Sequence, residues 1–320
     1  LITRVYIDGY NFYYGCLKGT PYKWLDIVKL FENHILCRPE VGAANLHDNG
    51  IKYFTAEITD RAAGDPNSVN DQRSYHQAIY HHNKKLSTIK GNYAVDEVKC
   101  YKVECDANGD KKDPKDSSKV EVWKLEEKQS DVNVAVEAVY DAITDPDLEQ
   151  IVFVTNDTDI VPALKKIQTY NALAIRKPII IGLVTPAKEG TRYRKTNKSL
   201  SDLADWTISF IKNSELMNSQ LPCRVASKRT VAIKPISWFE HSQEVSEIVE
   251  ILSASDVLGS IPKAWRWLSS QPIEVSGLPI LKDCPANLLD CKQDIADVLM
   301  HVKAFSKYKI HNNKTCDVKC

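Results

Sequence analysis

The chain lacks net charge: 42 Lys and Arg balance 42 Asp and Glu. That excludes a polycation coating nucleic acid over its whole surface, so any footprint for a polyanion must be local. It also lacks a CxxC pair. Its nine cysteines are odd in number and scattered, which argues against a disulfide framework or a zinc ribbon. Reduced thiols in a cytoplasmic protein are expected instead. No long apolar run is present. The longest, PIIIGLV, falls far short of the roughly 20 residues a membrane-spanning helix needs, so no membrane contact is expected. Internal repeats and low-complexity tracts are absent. The first residues, LITRVYIDGYN, already read as a strand and its turn, which leaves no room for a signal peptide there.

What is present is the make-up of a soluble globular protein, 43% hydrophobic and 26% charged over 320 residues. This is enough for a large domain and a smaller one. VYID, IKYFTAEI, IVFVT and PIIIGLVT read as strands. WLDIVKLFENHIL, residues 67–89 (with Tyr75, Ile79 and Leu86 in register), SDVNVAVEAVYDAI, residues 160–170 and LSDLADWTISFIKN read as helices. In SDVNVAVEAVYDAI the apolar stripe is Val132, Val136, Val139 and Ile143. VDEVKCYKVEC and KVEVWKLEEK are strand-like and flank a polar turn or loop, CDANGDKKDPKDSSK. Strand and helix in alternation predict an α/β fold with a parallel sheet wrapped by helices. IVFVT and PIIIGLVT are apolar enough to be central strands buried on both faces. LPCRVASKRTVAIKPISW reads as an extended arm. Beyond a boundary at 238–242, three amphipathic helices make a small C-terminal domain, 239–310, followed by a polar tail, 311–320.

Acidic residues stand where these elements meet. Asp8 and Asn11 follow the first strand, Asp131 opens a helix, and Asp157 and Asp159 follow IVFVT. Each has an ordinary explanation: Asp8-Gly9 as a turn, Ser130 as a helix cap with Asp131 complementing the helix dipole, Asn156 and Asp157 as caps. Taken together they gather at the carboxyl edge of a parallel sheet, where ligands of such sheets bind. Carboxylates brought together there repel unless a cation shares them. Oxygen ligands without a Cys or His pattern select Mg²⁺ or Mn²⁺. Such an ion would activate water for phosphodiester hydrolysis.

Basic residues supply a second signal. KEGTRYRKTNK places Lys188, Arg192, Arg194, Lys195 and Lys198 around Tyr193 just after PIIIGLVT. That is either a solvated loop or a track for a nucleic-acid backbone, with Tyr193 stacking on a base. Lys128 is either a surface charge or a phosphate contact. Arg73 and Tyr75 are either a substrate wall or, for Tyr75, packing. His76, His81 and His82 read as exposed rather than as ligands, and Trp265 and Trp267 as core.

These residues carry a resemblance. IDGYNFYY, EEKQSDVNVAVEAVYDA and VTNDTDIVPAL, in that order, resemble the three motifs of the NYN-domain branch of the PIN-like nuclease superfamily, as do LSDLADWTISFIKNSELMNSQLP and KRTVAIKPISW further on. The match spans residues 1–238, with one departure: Gln129 stands where the family usually has Gly. The resemblance implies a PIN-like three-layer sandwich with strand order 3-2-1-4-5. It implies Asp8, Asp131 and Asp157 as metal ligands or water activators, and Asp159 as a fourth acidic member. Asn11 and Thr155 would then support these groups or orient a phosphate. The expected function is a metal-dependent endoribonuclease acting on RNA, or else on DNA. The alternative is a non-catalytic nucleic-acid-binding or regulatory adaptor. AWRWLSSQPIEVSGLPILKD with IADVLMHV resembles the toxin-binding C-terminal domain of Xre-type antitoxins, which implies a protein partner for residues 239–310.

Overall fold

The first strand sets the architecture. In β1 (Ile2–Asp8) successive side chains point to opposite faces. Val5 and Ile7 enter one apolar core, and Tyr6 enters another. A strand buried on both faces must lie inside a sheet covered on both sides. The computed structural model, which describes residues 1–191, 194–272 and 274–317, places β1 there. It pairs in parallel with β2 (Asn45–Thr55), which pairs with β3 (Leu86–Lys90). Two further strands, β4 (Asn92–Tyr101) and β5 (Lys119–Lys128), stand outside this sheet as an antiparallel hairpin. The chain then returns to the other flank of β1 with β6 (Gln150–Val154), β7 (Ile180–Val184) and β8 (Trp206–Ile208). The six-stranded parallel sheet runs β3-β2-β1-β6-β7-β8. The α/β expectation holds. The sheet has six strands where five were expected, and the long hairpin interrupts the count.

One face is covered by residues 9–35 and the helix Ser68–His82, whose Trp24, Leu25, Phe31, Tyr75 and Ile79 pack on Val5, Val152 and Val184. The other face is covered by the helices Ser130–Thr144 and Val161–Ala172, with Val134, Ala138, Leu164 and Ile167 on Tyr6, Ile151 and Phe153. A third apolar core lies beyond the hairpin of β9 (Arg224–Ala226) and β10 (Val231–Ile233). It joins the helices Ser242–Ser253, Ile261–Leu268 and Lys292–Asp317 around Trp265, Leu252 and Val298. Trp265 is core, as read. Trp267 packs on Phe305. The last helix continues through residues read as a polar tail as far as Asp317. Among the described residues no helix is long and apolar enough to cross a membrane.

Three expectations need correction. The helical run read over 67–89 stops at His82, and Leu86–Lys90 is an edge strand. Asn83 turns the chain out of the helix, its side chain accepting from the Lys85 amide, and the run beyond it can pair with β2. LSDLADWTISFIKN is not a helix throughout: only Lys198–Ser201 is, before Trp206–Ile208 joins the sheet. The stripe Val132, Val136 and Ile143 is exposed. The Ser130–Thr144 helix instead turns Val134, Ala138, Asp141 and Ala142 inward. Asp141 explains that choice. It takes Arg4 Nη1 at 3.0 Å and Lys52 Nζ at 2.6 Å and accepts from the Tyr6 hydroxyl. Two cations in the sheet thus require an anion on the inner face.

Candidate active site

The chain runs outward from β1 to β3, then doubles back to β6. The crevice between the carboxyl ends of β1 and β6 is therefore the switch point where open α/β sheets hold ligands. Asp8 ends β1, and Thr155 follows β6. The Thr155 hydroxyl donates to Asp8 Oδ2 at 3.1 Å, and the Asn11 amide donates to Asp8 Oδ1 at 2.9 Å. Asp8 is 4% exposed. Burial pushes its carboxyl up to about 6, against the Asn11 and Thr155 hydrogen bonds and with help from the charges of Asp131 and Asp157.

A second acid joins it that the sequence reading passed over. Glu127 is the penultimate residue of β5 and accepts from the Ser130 hydroxyl. Burial, with Asp8 and Asp131 adding to it, pushes it up to about 7. The pleat offered a signal: Trp123, Leu125 and Glu127 share one face of β5, so an acid ends an apolar stripe just before a helix. Opposite Glu127 in the hairpin stands Tyr93, whose ring lies 6.1 Å from Tyr10. Tyr10 also neighbours Tyr14 at 6.2 Å, and burial raises its hydroxyl, with Glu127 contributing. Tyr53 is buried and feels both Glu127 and Asp8. A buried acid, Asp8, and a half-buried one, Glu127, with a tyrosine wall form the site.

The other predicted residues fall into place unevenly. Asp131 is half-buried, its carboxyl raised by burial and by Asp157 and Asp159. Asp157 caps the turn that follows it, accepting from the Asp159 amide at 3.0 Å, while Asp159 faces solvent. Asn11 Oδ1 accepts from the Asn156 amide at 3.2 Å and from Arg194 Nη2. Asn156 in turn holds the basic loop, donating to the Lys195 carbonyl at 3.0 Å and accepting from the Asn197 amide at 2.8 Å. The Arg194 side chain therefore reaches the site, whereas Lys195 meets it through its carbonyl and is exposed. Arg192 and Tyr193 lie outside the described residues. Lys128 turns along the hairpin to Asp96 and Glu126, each at 3.6 Å. Ser130 is not a cap; that position is Gln129, with φ 78°. This left-handed geometry suits glycine, the residue that the resembled motif carries there. Tyr75 is packing, bonded to the Leu25 carbonyl at 3.0 Å. His76 is half-buried beside Tyr53, and its imidazole is lowered to about 4 by burial and by Lys90. It is not exposed as expected, whereas His81 and His82 are.

The metal expectation does not survive this geometry. Among the described residues no group of three or more His, Cys, Asp or Glu side chains is placed to hold a metal ion. Asp8 and Asp157 each give one oxygen to a backbone amide, three and two residues on, and Asp159 turns to solvent, so the four expected ligands do not converge.

No protein-family model matches the chain. It is 38% identical over 316 residues to the 6-hydroxy-3-succinoylpyridine 3-monooxygenase HspA of Pseudomonas putida, an alignment spanning 95% of each protein. The chain belongs to the family of this monooxygenase. A crystal structure of a protein of unknown function from Vibrio parahaemolyticus aligns with 66% of this chain and 93% of its own, at 18% identity and TM-score 0.36; that likeness carries no argument. The monooxygenase kinship overturns the expected endoribonuclease, the nucleic-acid adaptor offered beside it, and the Mg²⁺ or Mn²⁺ requirement.

In a Rossmann-type site a flavin or nicotinamide dinucleotide takes its diphosphate at a glycine-lined turn after the first strand. The turn after β1 does not fit. A Cβ on Gly9 would lie 2.5 Å from the Phe54 carbonyl oxygen, and one on Gly15 would lie 1.8 Å from that of Pro186. Those glycines admit neighbouring backbone, not a ligand, and Asp8 stands where the phosphates would come.

Proposed function

We propose that this protein is an oxidoreductase that places one oxygen atom on a hydroxylated pyridine ring carrying an acyl acid side chain. Monooxygenation takes one atom of dioxygen into the product and reduces the other to water with two electrons from a reductant. Kinship along 95% of both chains supports the reaction class. The observation that carries the local chemistry is the pair of acids, buried Asp8 and half-buried Glu127, held near 6 and near 7 beside the Tyr10–Tyr93 wall. In a 6-hydroxypyridine, ring carbon 3 is para to the hydroxyl. Removing the hydroxyl proton raises electron density at that carbon and prepares it for an electrophilic oxygen. Because carbon 3 also carries the acyl group, the new C–O bond displaces it: water takes the acyl carbon, which leaves as a carboxylic acid, and the electron pair of the broken bond restores the aromatic ring. Glu127 titrates close to neutrality, so it can take this proton and return it. Asp8 assists from the other side, oriented by Thr155 and the Asn11 amide. Tyr10, Tyr14 and Tyr93 offer ring faces to a flat heterocycle.

The scaffold reading belongs here too. Strand order β3-β2-β1 followed by a return across β1, with an acid ending β1, supports a PIN-like sandwich, and the NYN motifs support a common frame with different chemistry. The apolar core around Trp265 supports a small helical module over 239–310, open to a protein partner.

The test is to incubate the protein with 6-hydroxy-3-succinoylpyridine, isotope-labelled dioxygen and a two-electron reductant, and to follow the ring product by mass spectrometry. One labelled oxygen on the ring is expected. Glu127→Gln is expected to lower the rate by roughly 10²- to 10⁴-fold. No labelled ring product from the wild type, or a fully active Glu127→Gln, would overturn the proposal.

A further inference from the structure

The site edge is electrically divided. Asp8, Glu127, Asp131 and Asp157 stand on one side. On the other, the loop after β7 brings Lys188, Arg194, Lys195 and Lys198, and among the described residues none of the four is paired with a carboxylate. Arg194 is the one built into the site. Its Nη2 donates to Asn11 Oδ1 and, at 3.3 Å, to the Asn11 carbonyl. Its Nε is buried with no partner among the described residues, and its guanidinium carbon would be 3.1 Å from a Cβ on Gly15. Lys188 lies close enough that it and Arg194 act together on Cys16. A guanidinium held by carbonyl-type acceptors keeps its positive charge whole, and its donors match the two oxygens of a carboxylate. Asn11 is shared between the two halves: its amide caps Asp8 and its side chain holds Arg194.

We propose that Arg194, with Lys188 beside it, is the anchor for the terminal carboxylate of the ligand. It would thereby select aromatic ketones that end in an acid, with the ring directed to Asp8 and Glu127. This rests on the monooxygenase reading for the identity of the ring, but the anion subsite can be measured without any oxygenation. The probes are 4-oxo-4-phenylbutanoate and its uncharged amide, which lack the reactive hydroxypyridine, titrated calorimetrically at low ionic strength. The wild type should bind the acid about tenfold or more tightly than the amide. Arg194→Gln should bring the two affinities together without changing that of the amide, and Arg194→Lys should keep part of the preference. Equal affinities in the wild type, a preference that survives Arg194→Gln, or equal loss of both ligands in that variant would each overturn the proposal. Absence of ring oxidation alongside a charge preference that depends on Arg194 would remove the reaction reading and leave the subsite standing.

Discussion

Replacing Asp8 by Asn should make the protein more stable at neutral and alkaline pH. The carboxyl moves from 3.8 to about 6 on folding, chiefly because it is buried. Between those values the folded state keeps a proton that the unfolded chain has released. Stability from this group is therefore greatest at low pH, falls as pH rises through that window, and is flat above it. A difference of about two pH units corresponds to about 3 kcal/mol. Asparagine retains the cap on the Asn11 amide. Its Nδ2 faces Thr155 Oγ1, a hydroxyl that can accept as well as donate. For a chain of this length, about 3 kcal/mol is roughly 4 °C in melting temperature. The assay is thermal unfolding of both proteins from pH 4 to pH 8. Carboxylates remote from Asp8 contribute equally to both and cancel in the difference, while Glu127, which the Asp8 charge helps to raise, is relieved in the variant and adds to the gain at pH 8. The variant should gain nothing near pH 4 and several degrees at pH 8. A difference independent of pH, or a variant that melts lower at pH 8, would refute the reasoning.

Two further outcomes follow from packing. Gly9→Ala should cost about 1–3 kcal/mol, because its methyl would lie 2.5 Å from the Phe54 carbonyl oxygen; denaturant unfolding should show a lower midpoint with an unchanged slope. Asp141→Asn should cost about 1–3 kcal/mol, since Arg4 and Lys52 lose their shared anion but keep Asp145 at 2.9 Å and Glu137 at 2.6 Å. Its carboxyl is held below the usual range by the Lys52 and Tyr6 hydrogen bonds and the two cations, acting against burial. The penalty should be full above the ordinary carboxylate range and fade as pH falls through the lowered value, which a melting series in acid would reveal.

The sheet was legible because apolar runs long enough to be buried on both faces, such as IVFVT, have few alternatives. The crevice was legible because strands that end in polar turns mark one edge. Asp8, Asn11, Thr155 and Arg194 do meet there. What the residues could not convey was the direction of lone pairs. An aspartate at a strand end looks the same whether it faces a cation or accepts from an amide two or three residues later, and here the local acceptor role prevails. Motif order is likewise no warrant for chemistry, which can differ within one frame. Leu86–Lys90 and Trp206–Ile208 were missed for a different reason. Both are short and lie at the ends of the sheet, where pairing with a neighbour decides the conformation that local propensity leaves open.

The β4–β5 hairpin has one more consequence. Its ten paired residues in each strand leave the sheet at Asn92 and return at Lys128, and β5 is exposed along most of its length. Little apolar surface fastens it, so it belongs to the parts of a protein that open locally at a fraction of the global free energy. Glu127 and Tyr93 stand at its root, in the second pair from the sheet, with Glu127 tied to Ser130. The outer pairs can therefore open while the crevice stays assembled, and a ligand that bridges Asp8 and Glu127 would stiffen the root without reaching the tip.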